Sequence, residues 1–409
     1  MYIGGAELDP VVGRGGTIQG AVIAIHAETT ALLESGPVKR SNITIKMKRN
    51  TFSVILLILI AAGLTACVGG SASEAAPRDN GSEGPTAPVP VRPPRPAPEN
   101  QSDESAGSGP RIAGCPVFPS DNIWNVRIDQ APVHARSAEY VRSIGADRPL
   151  HPDFGSGVWP PGSRSPIGIP FVVVRGDGQS RAAFTFEYAD ESDPGPYPIP
   201  DNAPIEGGPD ASNKGDRHVI VIDRDNCKLY EVYAAYRQTR GRWRAGSGAV
   251  FDLKSNQLRP DGWTSADAAG LPIFPGLVRY EEVQAGLIAH AIRFTAPRTQ
   301  RAYVWPATHF ASRIKDPAYP PLGQRFRLRA GVDATKRFSP ETRVIVRAMR
   351  EYGMILADNG SPWFISGAPN EKWNNSILRE LKTLRGSDFE AVDVSGLQAQ
   401  AGSAAVRGK

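Results

Sequence analysis

The chain has 409 residues, of which 40% are apolar and 22% are charged, and it is rich in proline (37) and glycine (42). This composition excludes a fibrous or wholly disordered protein, and the length permits two or three domains, although an all-β sandwich of about 250 residues can be a single domain. Residues 67–409 carry 41 basic and 38 acidic side chains, and a net charge of only +3 argues against a dedicated nucleic-acid-binding protein.

An export signal is predicted near the amino terminus. Residues 47–50 form a short basic head, and the apolar run of residues 52–66 is shorter than the ~20 residues that span a bilayer. The four residues that end at Cys67, Leu-Thr-Ala-Cys, resemble the lipobox of bacterial lipoproteins. The resemblance covers only this signal region, and it implies cleavage before Cys67 and a lipid anchor that holds the protein outside the cytoplasm, on a membrane of the bacterial cell envelope. The alternative is an uncleaved anchor in which Cys67 is merely buried.

Composition divides the rest of the chain into four segments. Residues 1–46 precede a complete signal peptide, so we interpret them as an extension from a start codon placed too early; the alternative is a cytoplasmic leader. Residues 67–113 have too few apolar side chains to offset the entropy of ordering and are predicted to be a disordered tether. We expect residues 114–396 to form a single β-sandwich domain and residues 397–409 to form a disordered tail.

Two cysteines remain after lipidation of Cys67. In an oxidising compartment two such thiols usually pair, so a disulfide between Cys115 and Cys227 is predicted. The alternative is two separate buried thiols.

A central β-hairpin is predicted around the turn at residues 224–226. The strand before it, residues 219–222, is apolar on both faces, and residues 228–236 after it alternate with the period of a strand. A strand that is apolar on both faces belongs in a sheet that is covered on both sides.

Further elements give the fold class. Residues 169–174 and 183–188 are predicted to pair as a hairpin, as are residues 354–357 and 363–366, and a helix should begin at Ser339. Counting all the elements favours a mainly β protein, specifically a β-sandwich of jelly-roll type with a few short decorating helices.

Motifs with a known chemistry are missing from the sequence. It lacks the serine-hydrolase elbow, the His-Glu-x-x-His zinc motif, the Cys-x-x-Cys pair, the phosphate-binding loop and the dinucleotide fingerprint. Residues 223–226 match only part of a calcium loop and are interpreted as a turn. The sequence therefore predicts neither a cofactor nor a metal site, and zinc binding by three histidines is a minor alternative.

An acidic loop supplies candidate catalytic carboxylates. Glu187, Asp190, Glu191 and Asp193 follow a predicted strand and enter a loop stiffened by prolines. Two carboxylates held about 5–10 Å apart can act as acid and base on a glycosidic bond. The alternative is a solvated acidic corner.

Histidines give a second set of candidates. His218, His290 and His309 lie in or beside apolar strands, and alternation places His290 and Arg293 on opposite faces. His290 is a candidate catalytic base, which with Tyr303 could drive elimination across a uronic acid. The alternative for each histidine is a hydrogen-bonded structural role.

Aromatic residues in loops suit the apolar face of a sugar. The predicted substrate-binding residues are Trp159, Tyr197, His218, Trp263, Tyr303, Trp305 and His309. The alternative is that the rings pack in the core or anchor loops.

Export, tether, sandwich and aromatic loops together favour a surface-anchored carbohydrate-active enzyme, a glycoside hydrolase acting on an extracellular polysaccharide. One alternative is a polysaccharide lyase that uses His and Tyr, and another is a non-catalytic glycan-binding or envelope-interaction lipoprotein. The expected partner is a polysaccharide or other glycan, with membrane contact only through the lipid anchor and no nucleic acid. This prediction depends in part on analogy between folds.

Overall fold

The computed structural model describes residues 109–209, 215–333 and 337–408. The predicted upstream extension, the signal peptide, the lipid attachment at Cys67 and nearly all of the tether lie outside these residues and stay predictions. Within the described residues, no helix combines the length and apolar character that crossing a membrane requires.

The described residues form fifteen strands and four α-helices. The first eight strands are β1 (Arg111–Ile112), β2 (Cys115–Pro116), β3 (His151–Asp153), β4 (Phe171–Val174), β5 (Ala183–Phe186), β6 (Val219–Asp223), β7 (Lys228–Tyr233) and β8 (Tyr236–Thr239). The other strands are β9 (Arg242–Ala245), β10 (Ser247–Asp252), β11 (Ile292–Ala296), β12 (Arg325–Leu328), β13 (Met354–Asn359), β14 (Phe364–Ser366) and β15 (Phe389–Val392). The helices are α1 (Ser137–Ile144), α2 (Tyr280–Gln284), α3 (Pro340–Glu351) and α4 (Asn375–Leu378).

The strands pair into four sheets. Strands β1 and β2 form a small ribbon, and the larger sheets have the orders β10-β7-β6-β4, β15-β12-β13-β11-β14-β3 and β5-β9-β8. Four pairs are parallel, namely β4 with β6, β5 with β9, β11 with β13, and β14 with β3. The protein is mainly β, as predicted. The narrower jelly-roll prediction is not confirmed, because a jelly roll is an antiparallel architecture.

The predicted central hairpin is present as β6 and β7, which are antiparallel with Val219 opposite Val232. Every residue of β6 is buried. Val219 and Val221 pack into one apolar cluster, whereas Ile220 and Ile222 pack into a second, larger cluster. Successive side chains of a strand point to opposite faces, so the prediction that this strand is covered on both sides is confirmed.

The four-stranded sheet thus lies between two parts of the core. The larger cluster joins it to the six-stranded sheet and to α3 through side chains that include Leu229, Phe294 and Ile345. The smaller cluster joins its other face to the three-stranded sheet through Tyr230 and Trp243. Helix α3 begins where the sequence predicts, because the Ser339 side chain accepts a hydrogen bond from the Thr342 N–H and Pro340 occupies the first turn.

Two predicted hairpins are wrong. Strands β4 and β5 belong to different sheets, where β4 pairs with β6 and β5 pairs with β9. Strands β13 and β14 share a sheet, but β11 lies between them and pairs with both. In each case a strand from a distant part of the chain takes the place of the sequence neighbour.

The predicted disulfide is confirmed. Cys115 and Cys227 are bonded across 112 residues and connect the start of the domain to the central hairpin. A disulfide of this structural kind indicates an oxidising compartment outside the cytoplasm.

The carboxyl-terminal segment differs from the predicted disordered tail. Ala405 forms a bridge with Asn122 and Val406 forms one with Gln398, and the side chain of Ala404 is buried. From composition alone we expected the entropy lost on ordering to keep this segment disordered. The backbone pairings and the buried side chain offset that loss of entropy.

Candidate functional site

Four adjacent strands of the six-stranded sheet each supply one polar side chain to the same place. Asp153 ends β3 directly opposite Ser366, which ends β14. Arg293 lies in β11, the other neighbour of β14, and Asp358 lies near the end of β13, opposite Thr295 of β11. The pairing of the strands therefore brings together residues that are far apart in the sequence.

Arg293 is the buried centre of this group. Its Nε donates to Oδ2 of Asp267 at 2.6 Å and its Nη2 donates to Oδ1 at 2.7 Å, while Nη1 donates to Oγ of Ser366 at 2.7 Å. Asp358 lies 3.4 Å away through Oδ2. A fork of this kind fixes the guanidinium in both position and plane.

His218 belongs to the same group of side chains. It lies immediately before β6 of the four-stranded sheet, close enough for the charge of Arg293 to act on it. Its Nδ1 lies 2.6 Å from Oε2 of Glu206, and its Nε2 lies 3.0 Å from the carbonyl oxygen of Ala266. Because a carbonyl can only accept, Nε2 carries a proton and donates it. Asp216 completes the group, since one ligand atom from each of Glu206, Asp216 and His218 lies within 4.8 Å of the others.

Residues 263–270 tie these two halves together. The carbonyl oxygen of Ala266 accepts a hydrogen bond from His218, just before β6 of the four-stranded sheet, and the neighbouring Asp267 pairs with Arg293 in the six-stranded sheet. The Ser265 hydroxyl donates to the carbonyl of Leu271 at 2.6 Å, which holds the segment in a tight loop.

Seven charged side chains interact electrostatically in this place. We call them the His218 cluster: Asp153, Glu206, Asp216, His218, Asp267, Arg293 and Asp358. Five carboxyl groups face one guanidinium and one imidazole, so the cluster has an excess of negative charge. This excess is expected to repel anions and attract cations.

The cluster has a buried floor and a side that solvent reaches. The side chains of Asp267, His218 and Arg293 are 0%, 2% and 5% exposed, whereas those of Glu206 and Asp358 are 26% and 21% exposed. Asp153 is exposed at the edge strand. A solute could therefore contact the carboxylates while the arginine and histidine stay fixed beneath them.

The carboxyl groups of the cluster do not share one pKa. Desolvation by the surrounding protein raises the pKa of Asp153 to about 6, and the nearby charges of Glu206 and Asp216 add to this shift. Burial and the charge of Asp267 likewise raise the pKa of Asp358 well above its usual range. Burial would also raise the pKa of Glu206, but His218 outweighs it and lowers that pKa instead. Protonated and ionised carboxyl groups therefore coexist here, a combination typical of acid–base sites.

The imidazole is protonated in this arrangement. Burial alone would lower the pKa of His218, but the carboxylates of Glu206 and Asp216 outweigh it and raise the pKa to about 9. The proton on Nδ1 then faces Oε2 of Glu206.

Two further groups border the cluster. The ring of Tyr233 lies 5.9 Å from that of His218, centroid to centroid, and burial together with the charges of Asp216 and Asp358 raises the pKa of Tyr233 to about 12. Glu231 is fully buried below the cluster and accepts hydrogen bonds from the N–H groups of Ile273 and Phe274. Burial outweighs these bonds and raises the pKa of Glu231 to about 7.

A second group, which we call the Glu191 group, also contacts residues 263–270 and contains Glu191, Trp263, Tyr303, His309 and Phe310. Oε2 of Glu191 accepts from the Thr264 N–H at 3.1 Å and lies 3.9 Å from Nε2 of His309. Nδ1 of His309 lies 2.8 Å from the carbonyl oxygen of Ala268. The structure thus brings together a predicted catalytic carboxylate and a predicted substrate-binding histidine.

Partly exposed rings complete the Glu191 group. Phe310 stacks on His309 with centroids 5.9 Å apart and on Tyr303 at 6.3 Å, and the Tyr303 hydroxyl donates to Asp261 at 2.6 Å. Trp263 and Trp305 are also partly exposed. Trp305 donates from Nε1 to the carbonyl of Ser403, which anchors its ring to the carboxyl-terminal segment.

Other predicted site residues have structural contacts. Asp193 pairs with Arg259 and accepts from the Val250 N–H, while Tyr197 is 1% exposed and its hydroxyl donates to the carbonyl of Asp193. His290 is 0% exposed and lies among Glu282, Arg279 and the carbonyl of Ala291. Neither ring has a face open to a solute.

The remaining predicted residues are exposed and dispersed. Glu187 and Asp190 are exposed, and no structural contact joins their side chains to the His218 cluster among the described residues. Trp159 is 67% exposed in the loop before β4.

Of the seven residues of the His218 cluster, only His218 is among the catalytic and substrate-binding residues that we predict from the sequence. A signal for Arg293 was present, because a charged residue within the apolar strand β11 must have a buried partner. The Gly-Asp-Arg-His run before β6 likewise placed Asp216 two residues from His218. Nothing in the sequence connects Asp153, Glu206 and Asp267, which come from loops and from an edge strand.

Comparison with known proteins gives no relative for this chain. No protein-family model matches it, no curated protein matches it, and no solved structure matches it.

Proposed function

We propose that the protein is an extracytoplasmic, carbohydrate-active hydrolase that cleaves a glycosidic bond of a neutral glycan at the solvent-reached side of the His218 cluster. The observation that carries this proposal is the gathering of five carboxyl groups around one arginine and one histidine, with four of the carboxyl groups at least partly open to solvent. The transition state of glycoside hydrolysis is a cationic, oxocarbenium-like species, which an excess of negative charge stabilises.

Asp153 is the candidate general base. It is exposed to solvent, and no described residue donates a hydrogen bond to its carboxyl group, so its oxygens are free to accept a proton from water. Its pKa of about 6 leaves most of the group ionised at neutral pH.

Asp358 is the candidate general acid. Its carboxyl group is 21% exposed and lies 3.4 Å from Nη2 of Arg293, and burial together with the charge of Asp267 raises its pKa well above the usual range, which favours the protonated form. In the proposed reaction the bond between the anomeric carbon and the leaving oxygen breaks and that oxygen takes the proton of Asp358. The oxygen of a water molecule joins the anomeric carbon, and its proton passes to Asp153.

The charge of the site also bears on the lyase alternative. A uronic acid would bring another carboxylate to a place where negative charge is already in excess, and the repulsion would weaken binding. The charge therefore favours a neutral glycan over a uronate.

Glycan binding without turnover is the second candidate, and the Glu191 group favours it. Trp263, Tyr303 and Phe310 offer partly exposed rings beside the Glu191–His309 pair, and such rings suit the apolar face of a sugar.

In the same proposal the lipid at Cys67 anchors the domain to the cell envelope, and the disulfide and the lipobox resemblance support this placement.

A screen of the purified full-length protein against a polysaccharide panel tests these functions. New reducing ends without absorbance from unsaturated uronates would support hydrolysis, absorbance would support a lyase, and binding without either product would favour the binder. The variants Asp153→Asn and Glu191→Gln compare the two groups, with Glu139→Gln on the exposed face of α1 as the control.

Hydrolysis at the His218 cluster predicts that Asp153→Asn removes most of the activity while Glu191→Gln retains it. Because the base must be ionised, wild-type activity should also rise as the pH rises through about 6. Full activity in Asp153→Asn would contradict the assignment, and loss of activity only in Glu191→Gln would move the reaction to the Glu191 group.

A further inference from the structure

We infer that Glu206, Asp216 and His218 form a binding site for one divalent transition-metal ion such as Zn²⁺ or Mn²⁺. The inference does not depend on glycan hydrolysis, since the ion can be detected directly. It goes beyond the acid and base roles of Asp153 and Asp358, which belong to the same cluster but are not among the three ligands.

The spacing of the three residues fits a common ion. One imidazole nitrogen and two carboxylate oxygens, one from each residue, lie within 4.8 Å of one another, and Nδ1 of His218 is only 2.6 Å from Oε2 of Glu206. Ligands about 2.1 Å from one ion are at most about 4.2 Å apart, so small side-chain rotations bring all three into range.

The orientation of the imidazole supports the same conclusion. Nε2 of His218 donates to the carbonyl of Ala266 at 3.0 Å, which directs Nδ1 towards the two carboxylates. Histidines that bind metals characteristically donate their second ring N–H to a carbonyl or carboxylate, because this bond fixes the ring and the tautomer. His218 is 1% exposed, so the ring is also held by its surroundings.

Residues 263–270 hold this carbonyl in place. Asp267, which follows Ala266, is fixed by its two hydrogen bonds from Arg293, and Ser265, which precedes it, donates to Leu271. The imidazole therefore has a rigid partner on the side away from the carboxylates, as a preorganised site requires.

The position of Asp216 also indicates a bound cation. Its carboxyl group is partly buried, and no described residue donates a hydrogen bond to it, although Glu206 and Asp153 bring further negative charge close by. Carboxylates collected in this way repel one another unless a cation lies between them. A divalent ion compensates both ligand carboxylates, and its binding releases the proton from Nδ1 of His218 to solvent.

The donor set limits the kind of ion. One imidazole and two carboxylates form a mixed nitrogen and oxygen set, which suits Zn²⁺, Mn²⁺ or Fe²⁺, whereas Ca²⁺ and Mg²⁺ prefer oxygen ligands alone. The side chain of Glu206 is 26% exposed, so solvent can reach the ion and fill its remaining positions. Three protein ligands with an open position are typical of a catalytic rather than a structural metal site.

The test measures the metal itself in the full-length protein. After treatment with a chelator, titration calorimetry with Zn²⁺ and with Mn²⁺ should show one bound ion per chain, and Co²⁺ used as a probe should give visible absorption bands of a protein-bound ion. The variant Asp216→Asn should lower the affinity at least about tenfold. This carboxylate has no hydrogen bond from a described residue, so its replacement should leave the fold intact, which circular dichroism checks.

The Glu191 group provides the matched control. Glu191→Gln alters another carboxylate beside a histidine, with 3.9 Å between Oε2 and Nε2 of His309, and it should leave the affinity unchanged. Absence of binding by the wild-type protein, or equal affinity in wild type and Asp216→Asn, would overturn the site. Metal binding in a protein without glycan turnover would support the site and count only against the proposed function.

Discussion

Arg293 and Asp267 form a buried, two-fold hydrogen-bonded ion pair, with Nε to Oδ2 at 2.6 Å and Nη2 to Oδ1 at 2.7 Å. The pair does more than compensate two charges. It attaches residues 263–270 to β11 of the six-stranded sheet, and the same residues hold His218 through the carbonyl of Ala266. The geometry of the His218 cluster therefore depends on this contact.

Replacement of Asp267 by Asn should destabilise the protein strongly. The side chains of Arg293 and Asp267 are 5% and 0% exposed, so the variant leaves a buried guanidinium that Asp358, at 3.4 Å, and the charge of Glu206 compensate only in part. Breaking a buried ion pair on one side costs about 3–5 kcal/mol of unfolding free energy. Urea unfolding followed by circular dichroism measures the loss.

The control for Asp267→Asn is Glu139→Gln in α1. Glu139 pairs with Arg136 at 2.8 Å, and both side chains are well exposed, at 38% and 45%. Exposed pairs contribute only about 0–1 kcal/mol, so this variant should unfold almost like the wild type. Equal stability of the two variants would show that Arg293 does not need Asp267.

The disulfide should contribute a separate part of the stability. Cys115 and Cys227 close a loop across 112 residues, and a cross-link of that length restricts the unfolded chain by about 3–5 kcal/mol in the chain-entropy model. The double variant Cys115→Ser/Cys227→Ser should lose this amount in urea unfolding, and the wild type with a reducing agent should approach the same value. A loss below about 1 kcal/mol in both experiments would contradict the constraint.

The sequence predicted the parts of the fold that local information specifies. The hairpin of β6 and β7 has a short turn between two strands, and the apolar residues of β6 on both faces show that both faces are covered. The start of α3 at Ser339 follows from a capping side chain and a proline, both of which act within one turn.

Local sequence patterns did not predict which strands from distant parts of the chain pair with each other. The turn residues between β4 and β5 and between β13 and β14 indicate where the chain reverses, but not which strand is inserted. In the structure β11 lies between β13 and β14, and β6 takes the place beside β4. Parallel strands need long connections between them. The alternation of residues within a strand does not indicate the path that such a connection takes.

Most of the candidate site could not be predicted either, because its residues meet only through contacts between distant parts of the chain. Asp153 and Ser366 meet because β3 and β14 pair, and Arg293 meets Asp267 because a loop folds back onto β11. The sequence did show that His218 stands at the start of a buried strand, and it separated His290 from Arg293 by alternation. It did not show which of those two side chains belongs to a site reached by solvent.

His151 should make the free energy of unfolding decrease at acidic pH. Its ring stacks on Phe364 with centroids 4.0 Å apart, and burial together with the charge of Lys382 lowers its pKa to about 4. Between pH 6.5 and 4 the unfolded chain binds a proton that the folded protein excludes, so the stability that neutral His151 provides is present above pH 6.5 and is lost as the pH falls through about 4. The ring is partly exposed, and screening by solvent brings the expected loss to about 1–3 kcal/mol.

The variant His151→Phe isolates this effect because it keeps an aromatic ring against Phe364 and removes the titrating nitrogen. Unfolding free energies of wild type and variant, measured in urea at several pH values from 8 to 4, should differ by a constant amount above about pH 6.5 and then diverge in favour of the variant as the pH falls. The comparison at pH 8 corrects for any change in packing. Parallel curves over the whole range would show that the folded protein binds the proton at His151 as readily as the unfolded chain does.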